Sequence, residues 1–326
     1  MVKKVLLGQY FTKKKLWCTA EVERFILTSS CTTVYDPFAG DGDLLKVADE
    51  LGFSSKIGLD IDETLNWEVN DSLLKIPHVD NAIIITNPPY IAKQSASRKH
   101  LKLEKYFNDT KYDDIYLLAL DRMLEAQDYV VAIVPESFIN SSYEKKNFLS
   151  SITVLESNPF LDTENPVCVV CFDGTYKTFD NIKVYKNGKY INSLKRIIDV
   201  RIKPKNNVKI TFNDQSGWLG LRAVDSTDDK TNIAFAFKKD INYNWDEKIK
   251  NTSRHITLIN VDVPEDKQQQ FIEYANNEIN SLRKRSSDIV FTPFKGNTKS
   301  GIRRRRLDYS LARAILEDAY KDTVKL

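Results

Sequence analysis

Through the first 172 residues the apolar positions alternate between helical and strand spacing. Leu16, Val22, Phe25 and Ile26 follow a helical period across 16–29, and residues 33–36 read as a short strand that ends in a turn. Residues 43–51 predict a helix capped by Asp43, residues 56–60 a second strand, and residues 65–69 a short third. Residues 82–86 form an unbroken apolar strand, the pattern of a strand covered on both faces. Residues 112–127 predict a helix with Asp113 and Asp114 at its N-terminal end and Leu117, Leu120 and Leu124 on one face. Strands at 129–134, 152–156 and 167–172 complete the series. Repeated strand–helix–strand predicts an α/β fold, a doubly wound sheet. After about residue 175 the texture changes. Short Lys- and Asn-rich strands at 182–190 and 207–213 precede helical patterns at 267–284 and 309–320. These predict a smaller α+β domain, with boundaries at 1–175 and 176–326.

Composition adds a size and a charge division. The chain has 326 residues, 42% of them apolar and 29% charged, enough for a sizeable core. That excludes disordered, collagen-like and coiled-coil chains. The longest apolar runs are strand-sized, and Lys3 and Lys4 precede only Val5-Leu6-Leu7, too short for a signal peptide. A cytoplasmic protein with no membrane partner is expected. Residues 1–175 hold 18 Lys and Arg against 26 Asp and Glu, a balance of −8; residues 176–326 hold 30 against 19, or +11. The basic half is a candidate for a polyanionic partner. Cys168 and Cys171 have the spacing of a metal or redox pair, but on a strand residues i and i+3 face opposite ways, so both are expected in the core.

Two motifs carry chemistry. Asp36-Pro-Phe38-Ala39-Gly40-Asp-Gly42-Asp43 lies between a strand and a helix, and its glycines permit a tight turn and close approach by a ligand. Asp60 follows about twenty residues later at the end of the next strand, where a carboxylate accepts hydrogen bonds from ribose hydroxyls. The second motif, Asn87-Pro88-Pro89-Tyr90, directly follows the 82–86 strand. Its prolines fix the backbone and remove two N–H donors, leaving carbonyls to accept. Asn87 Oδ1 and the Pro88 carbonyl suit the two hydrogens of a planar amino group, with Tyr90 stacked on its ring. His78, His100 and His255 form no ligand cluster, and no metal is expected.

At these residues the chain resembles the S-adenosylmethionine-dependent N6-adenine DNA methyltransferases of restriction–modification systems, in the gamma-class motif order. The resemblance covers about residues 8–172. It implies a Rossmann-like sheet, mostly parallel with one antiparallel strand, and S-adenosylmethionine as cofactor. Gly8-Gln-Tyr10-Phe-Thr12 is similar to the motif that holds the methionine end of that cofactor, although Lys13–Lys15 replace the Pro common after its Thr. Asp36, Phe38, Ala39, Gly40 and Gly42 fall on the Gly-rich motif, and Asp60, with Ile61 beside it, on the ribose-binding acid. Asp71 falls on the acid that accepts from the cofactor's adenine, with Ser72 where an aromatic is often found. Asn87, Pro88, Pro89 and Tyr90 are the implied catalytic motif. Phe160 falls where the family places a second aromatic against an adenine flipped out of the duplex.

The implied partner is double-stranded DNA, with a functionally linked restriction endonuclease and a monomer or weak dimer as the working form. The polar segment 91–100 reads as a mobile loop that brings Lys93, Arg98 and Lys99 near phosphates. In the basic half, Lys295, Lys299 and Arg303, Arg304, Arg305 and Arg306 are the DNA candidates. Side chains alternate along an extended path, so two of the four arginines are expected to face DNA while the others pair with acids such as Asp308. Asn-Pro-Pro-Tyr motifs also serve RNA-adenine and protein-glutamine methyltransferases, and a non-catalytic specificity subunit could keep the fold.

Overall fold

The computed structural model describes residues 14–108, 110–157, 159–160, 164–228, 230–245 and 255–324. The Gly8–Thr12 motif, with Tyr10 and Thr12, lies outside the described residues. The chain divides into two compact units, Met1–Leu194 and Lys195–Leu326.

The first unit holds a nine-stranded sheet built from β1 (Thr33–Asp36), β2 (Ser55–Asp60), β3 (Glu68–Val69), β4 (Ala82–Thr86), β5 (Tyr129–Pro135), β6 (Leu149–Leu155), β7 (Val167–Asp173), β8 (Lys183–Lys186) and β9 (Lys189–Ser193). Their order is β3-β2-β1-β4-β5-β7-β6-β8-β9. The first five in that order pair parallel. β7 inserts antiparallel between β5 and β6, and β9 turns back against β8. Two strands therefore run against the rest, one more than expected. All five residues of β4 are buried, as its unbroken apolar run predicts. Val22 and Ile26 of helix α1 (Ala20–Thr28) pack in one cluster with Val131, Ile133, Val169 and Cys171. Each such aliphatic side chain stabilises the fold by about 1.5–3 kcal/mol. Cys168 and Cys171 are both free and buried; Cys168 Sγ turns instead toward the Pro135 carbonyl at 3.9 Å.

Two boundaries differ from the sequence reading. Helix α2 (Lys46–Leu51) starts three residues after Asp43, which pairs with Lys46 Nζ at 2.6 Å and caps nothing. The intervening residues complete the turn made by Gly40 and Gly42, both at positive φ. The division expected at 175/176 falls at 194/195, because the β8–β9 hairpin extends the first sheet. Val184 is fully buried opposite Ile152 of β6. Asn187 and Gly188, with φ of 48° and 81°, make the tight left-handed turn that an Asn-Gly pair favours.

The second unit is α+β. A four-stranded antiparallel sheet runs in the order β10 (Ile210–Phe212), β13 (Ile256–Val261), β11 (Leu219–Arg222), β12 (Ala234–Phe237). Helices α6 (Glu265–Ser286) and α7 (Tyr309–Thr323) supply Phe271, Ile279, Leu282, Leu311 and Ile315 to one core with Leu219, Leu221 and Ile259. A separate hairpin pairs β14 (Thr292–Asn297) with β15 (Arg303–Arg306). No described helix is long and apolar enough to cross a membrane.

Candidate functional site

The carboxyl ends of β1, β2 and β4 converge where the strand order reverses, the place at which open α/β sheets bind ligands. Asp36 ends β1 and is only 1% exposed. Its Oδ1 accepts the Thr86 hydroxyl at 2.6 Å and the Phe38 N–H at 3.0 Å. Burial pushes its pKa up from 3.8 to about 7, against the lowering by those two hydrogen bonds, and the Asp60 charge adds to the rise. A raised carboxyl pKa makes the fold most stable below the unfolded value, and that stability is lost as pH rises toward 7. In denaturant unfolding, the stability of the wild type relative to Asp36→Asn is expected to fall between pH 4 and 7, with a slope approaching about 1.4 kcal/mol per pH unit. A flat difference across that range would place a charged Asp36 in the folded protein.

Asp60 ends β2 and is also buried. Oδ2 accepts the Gly40 N–H at 2.8 Å and Oδ1 the Asp62 N–H at 2.9 Å, so one carboxylate holds the Gly-rich turn against the next loop. Gly40 has φ +52° and nothing within 4 Å of where a Cβ would lie, so the turn presents open space. Gly42 differs: a Cβ there would sit 2.7 Å from the Trp67 ring, and one at Gly58 2.6 Å from it. Trp67 Nε1–H also donates to the Gly40 carbonyl at 2.8 Å. Trp67 thus clamps the turn, a role the sequence reading missed; glycines facing a lone Trp in a polar segment were its only signal.

A cavity of about 180 Å³ adjoins this turn, lined by Phe38, Asp60, Ile61, Asp71, Ser72, Asn87 and Pro89, with Leu103 and Tyr106 among the other residues around it. Helix α4 (Glu104–Asn108) is tied to its floor, because Asp71 Oδ2 accepts Lys105 Nζ at 2.8 Å and Tyr106 Oη at 2.9 Å. Ser72 is buried and accepts the Asn70 amide at 2.9 Å. An open backbone turn, a buried carboxylate at its edge and a nucleobase-sized cavity fit an adenosine-bearing cofactor such as S-adenosylmethionine. Gly40 and Asp60 would hold its ribose end, and Ile61, Asp71 and Ser72 its base.

Asn87 and Pro88 are buried directly after β4, and Tyr90 is half-buried. The Tyr90 hydroxyl donates to Asn87 Oδ1 and lies 2.7 Å from the Ile133 carbonyl of β5. Its ring meets Tyr116 edge-on and Phe160 at 6.3 Å, tilted by 58°. The fold therefore brings Asn87, Tyr90 and Phe160 together across 73 residues of chain. It does not leave a slot between the rings: a flat base stacked on both faces needs about 7 Å between parallel planes, two contacts of about 3.5 Å each.

The positively charged candidates divide. The segment expected to be a mobile loop contains helix α3 (Lys93–Arg98), with Ala96 buried beneath it. Backbone bonds from Lys93 N to Asp113 O, 2.7 Å, and from Ile115 N to Ile91 O, 3.1 Å, tie it to the start of helix α5 (Ile115–Ala126). The stretch has no Gly or Pro to stop a helical turn. Lys93, Arg98 and Lys99 are exposed on it. In the second unit, Lys295 and Lys299 are exposed, and β15 alternates as expected: Arg303 and Arg305 are buried, Arg304 and Arg306 half-exposed. Arg303 and Arg305 are thus core residues and cannot meet phosphates. Asp308 does not pair with this run; it holds Arg201 at 2.9 Å and caps α7 through the Leu311 N–H. Among the described residues, no group of three or more His, Cys, Asp or Glu could hold a metal ion.

Sheet order and the reversed seventh strand give the first unit a Rossmann-like, mostly parallel α/β fold, with the Gly-rich turn at its switch point. Residues 41–159 match the family model of the Eco57I restriction-modification methylase. Solved structures similar to it include the methyltransferase subunit of a type I restriction-modification system from Streptococcus thermophilus, 13% identical over 59% of this chain and 53% of that one, TM-score 0.38. A Listeria monocytogenes protein assigned as a class I S-adenosylmethionine-dependent methyltransferase is 12% identical over 58% and 72%, TM-score 0.36. The M protein of the type I restriction enzyme EcoKI is 11% identical over 94% and 71%, TM-score 0.34. No curated protein matches the chain in sequence.

Proposed function

We propose that the protein methylates the N6 amino group of adenine in duplex DNA, as the modification enzyme of a restriction–modification system whose endonuclease cuts the same site. The observation that carries this reading is Asn87-Pro-Pro-Tyr90 at the end of β4, beside the turn held by Asp60. Bound S-adenosylmethionine supplies an electrophilic sulfonium methyl group. An adenine amino group is a weak nucleophile because its lone pair is delocalised into the ring. Asn87 Oδ1 and the Pro88 carbonyl accept its two hydrogens and localise that lone pair as charge develops on nitrogen. Asn87 Oδ1 is engaged by the Tyr90 hydroxyl before the base arrives. The Ile133 carbonyl, 2.7 Å from the same hydroxyl, gives that proton another acceptor when the amine takes its place.

The amine lies inside the duplex, so the base is flipped out before reaction. Tyr90 and Phe160 part to admit it, and each face stacked replaces about 1–3 kcal/mol of lost base stacking. Tyr90→Ala or Phe160→Ala is expected to slow methylation of duplex DNA and spare cofactor affinity. With 2-aminopurine at the target position, fluorescence rises on binding the wild type; an active enzyme that gives no rise does not flip the base into this pocket.

The substrate class is tested by offering methyl-labelled cofactor with duplex DNA, RNA and protein extract together. Label is expected in the DNA. Label in RNA or on protein glutamine identifies a different methyl acceptor, and no transfer with intact cofactor binding identifies a specificity subunit.

A further inference from the structure

On the outer side of β15, Arg304 and Arg306 begin a row of alternating guanidinium and aromatic groups. The Arg304 guanidinium lies 5.0 Å over the Phe294 ring, whose edge contact with His255 is at 5.2 Å. Arg306 shares the rim of a surface hollow with Asp308 and Tyr309. Tyr309 stacks on Phe212 at 4.6 Å, the planes only 20° apart, and the Arg313 guanidinium lies 5.6 Å over that same ring. Tyr309 and Arg313 are four residues apart in α7, so they share one helix face. All these side chains except His255, which is exposed, are partly exposed.

Among the described residues, Arg304, Arg306 and Arg313 pair with no carboxylate. Arg304 Nε and Arg313 Nη2 each donate to a backbone carbonyl at 2.8 Å, and Arg304 Nη1 donates to the Lys295 carbonyl at 3.4 Å, which holds the two groups in place. Of the acids beside the row, Asp308 is already paired with Arg201, and Asp225, whose carbonyl accepts Arg304 Nε, with Arg283. Guanidinium groups set over aromatic rings, as those of Arg304 and Arg313 are, suit an anion with planar groups beside it. They donate to phosphate oxygens in a planar fork, and the rings offer faces for stacking.

We infer that the Arg304–Arg306–Tyr309–Phe212–Arg313 row is the surface by which the second unit grips the DNA backbone, with Arg306 and Arg313 binding phosphates most directly. This rests on the reading of DNA as the substrate. Arg303 and Arg305, the other half of the same run, take no part in it because they are core residues.

The test is duplex DNA binding by the full chain as a function of salt. Arg306→Ala with Arg313→Ala is expected to raise Kd by about tenfold or more and to reduce the log–log salt slope by about 1.8, which is about 0.9 for each phosphate left without its arginine. Arg306→Lys with Arg313→Lys keeps the slope near wild type. Tyr309→Leu weakens binding and leaves the slope unchanged, which separates stacking from charge. Unfolding midpoints of the Lys and Leu variants within a few degrees of wild type exclude a folding defect, and these variants decide the matter if the Ala pair fails to fold. Wild-type affinity and slope in the double Ala variant, or loss of the slope in the double Lys variant, overturns the inference while the methylation of DNA stands. A wild type that methylates another polymer and binds no DNA overturns the reading beneath it as well.

Discussion

Asn87→Ala is expected to lower kcat for DNA methylation by about 100–1000-fold while cofactor affinity stays within about twofold of wild type. A single fixed acceptor aimed at a developing charge is worth about that much, because it is in place before the charge forms and lies where water does not reach. Asn87 is only 9% exposed, so a solvent molecule is a poor substitute for its carbonyl. The loss stays local. Thr86 remains bonded to Asp36, and the Tyr90 hydroxyl keeps the Ile133 carbonyl as acceptor. Steady-state rates and calorimetry with S-adenosylhomocysteine separate the two effects. Wild-type turnover in the variant removes Asn87 from the chemistry.

Asp60→Ala is expected to do the reverse, weakening cofactor binding by about 1.5–3 kcal/mol, roughly 10–150-fold, through loss of charge-assisted hydrogen bonds. The effect has two parts. In the proposed role the carboxylate accepts the ribose hydroxyls, and its two oxygens also hold the Gly40 and Asp62 N–H groups in place. Removing it takes away the direct hydrogen bonds and releases the turn that has to approach the cofactor. Saturating cofactor restores much of kcat, which distinguishes this variant from Asn87→Ala. Unchanged affinity by calorimetry moves the ribose contact to Asp62.

The parts of this site that were legible in the sequence are local in the chain. The apolar run Ala82–Ile85 announces β4, and the motif that follows it in sequence follows it in space. Gly40 and Asp60 are twenty residues apart because one helix and one strand separate the ends of adjacent parallel strands. What was not legible depends on tertiary neighbours. Four consecutive arginines carry no internal pattern; which pair is buried follows from the pairing of β15 with β14 and with Val224. Lys105 and Tyr106 reach Asp71 across more than thirty residues, and nothing near either marks the other. The β8–β9 hairpin reads as part of the basic half because its outward positions are Lys and Tyr; the buried Val184, opposite Ile152 of β6, assigns it to the first sheet.

Identifying the methylated nucleoside decides which amino group accepts the methyl. Wild-type protein and Asn87→Ala are incubated side by side with methyl-labelled S-adenosylmethionine and duplex DNA carrying varied sequence, and the DNA is digested to nucleosides. Label is expected in N6-methyldeoxyadenosine for the wild type, with almost none for the variant. Label in N4-methyldeoxycytidine, or equal label from both proteins, contradicts the proposed reaction.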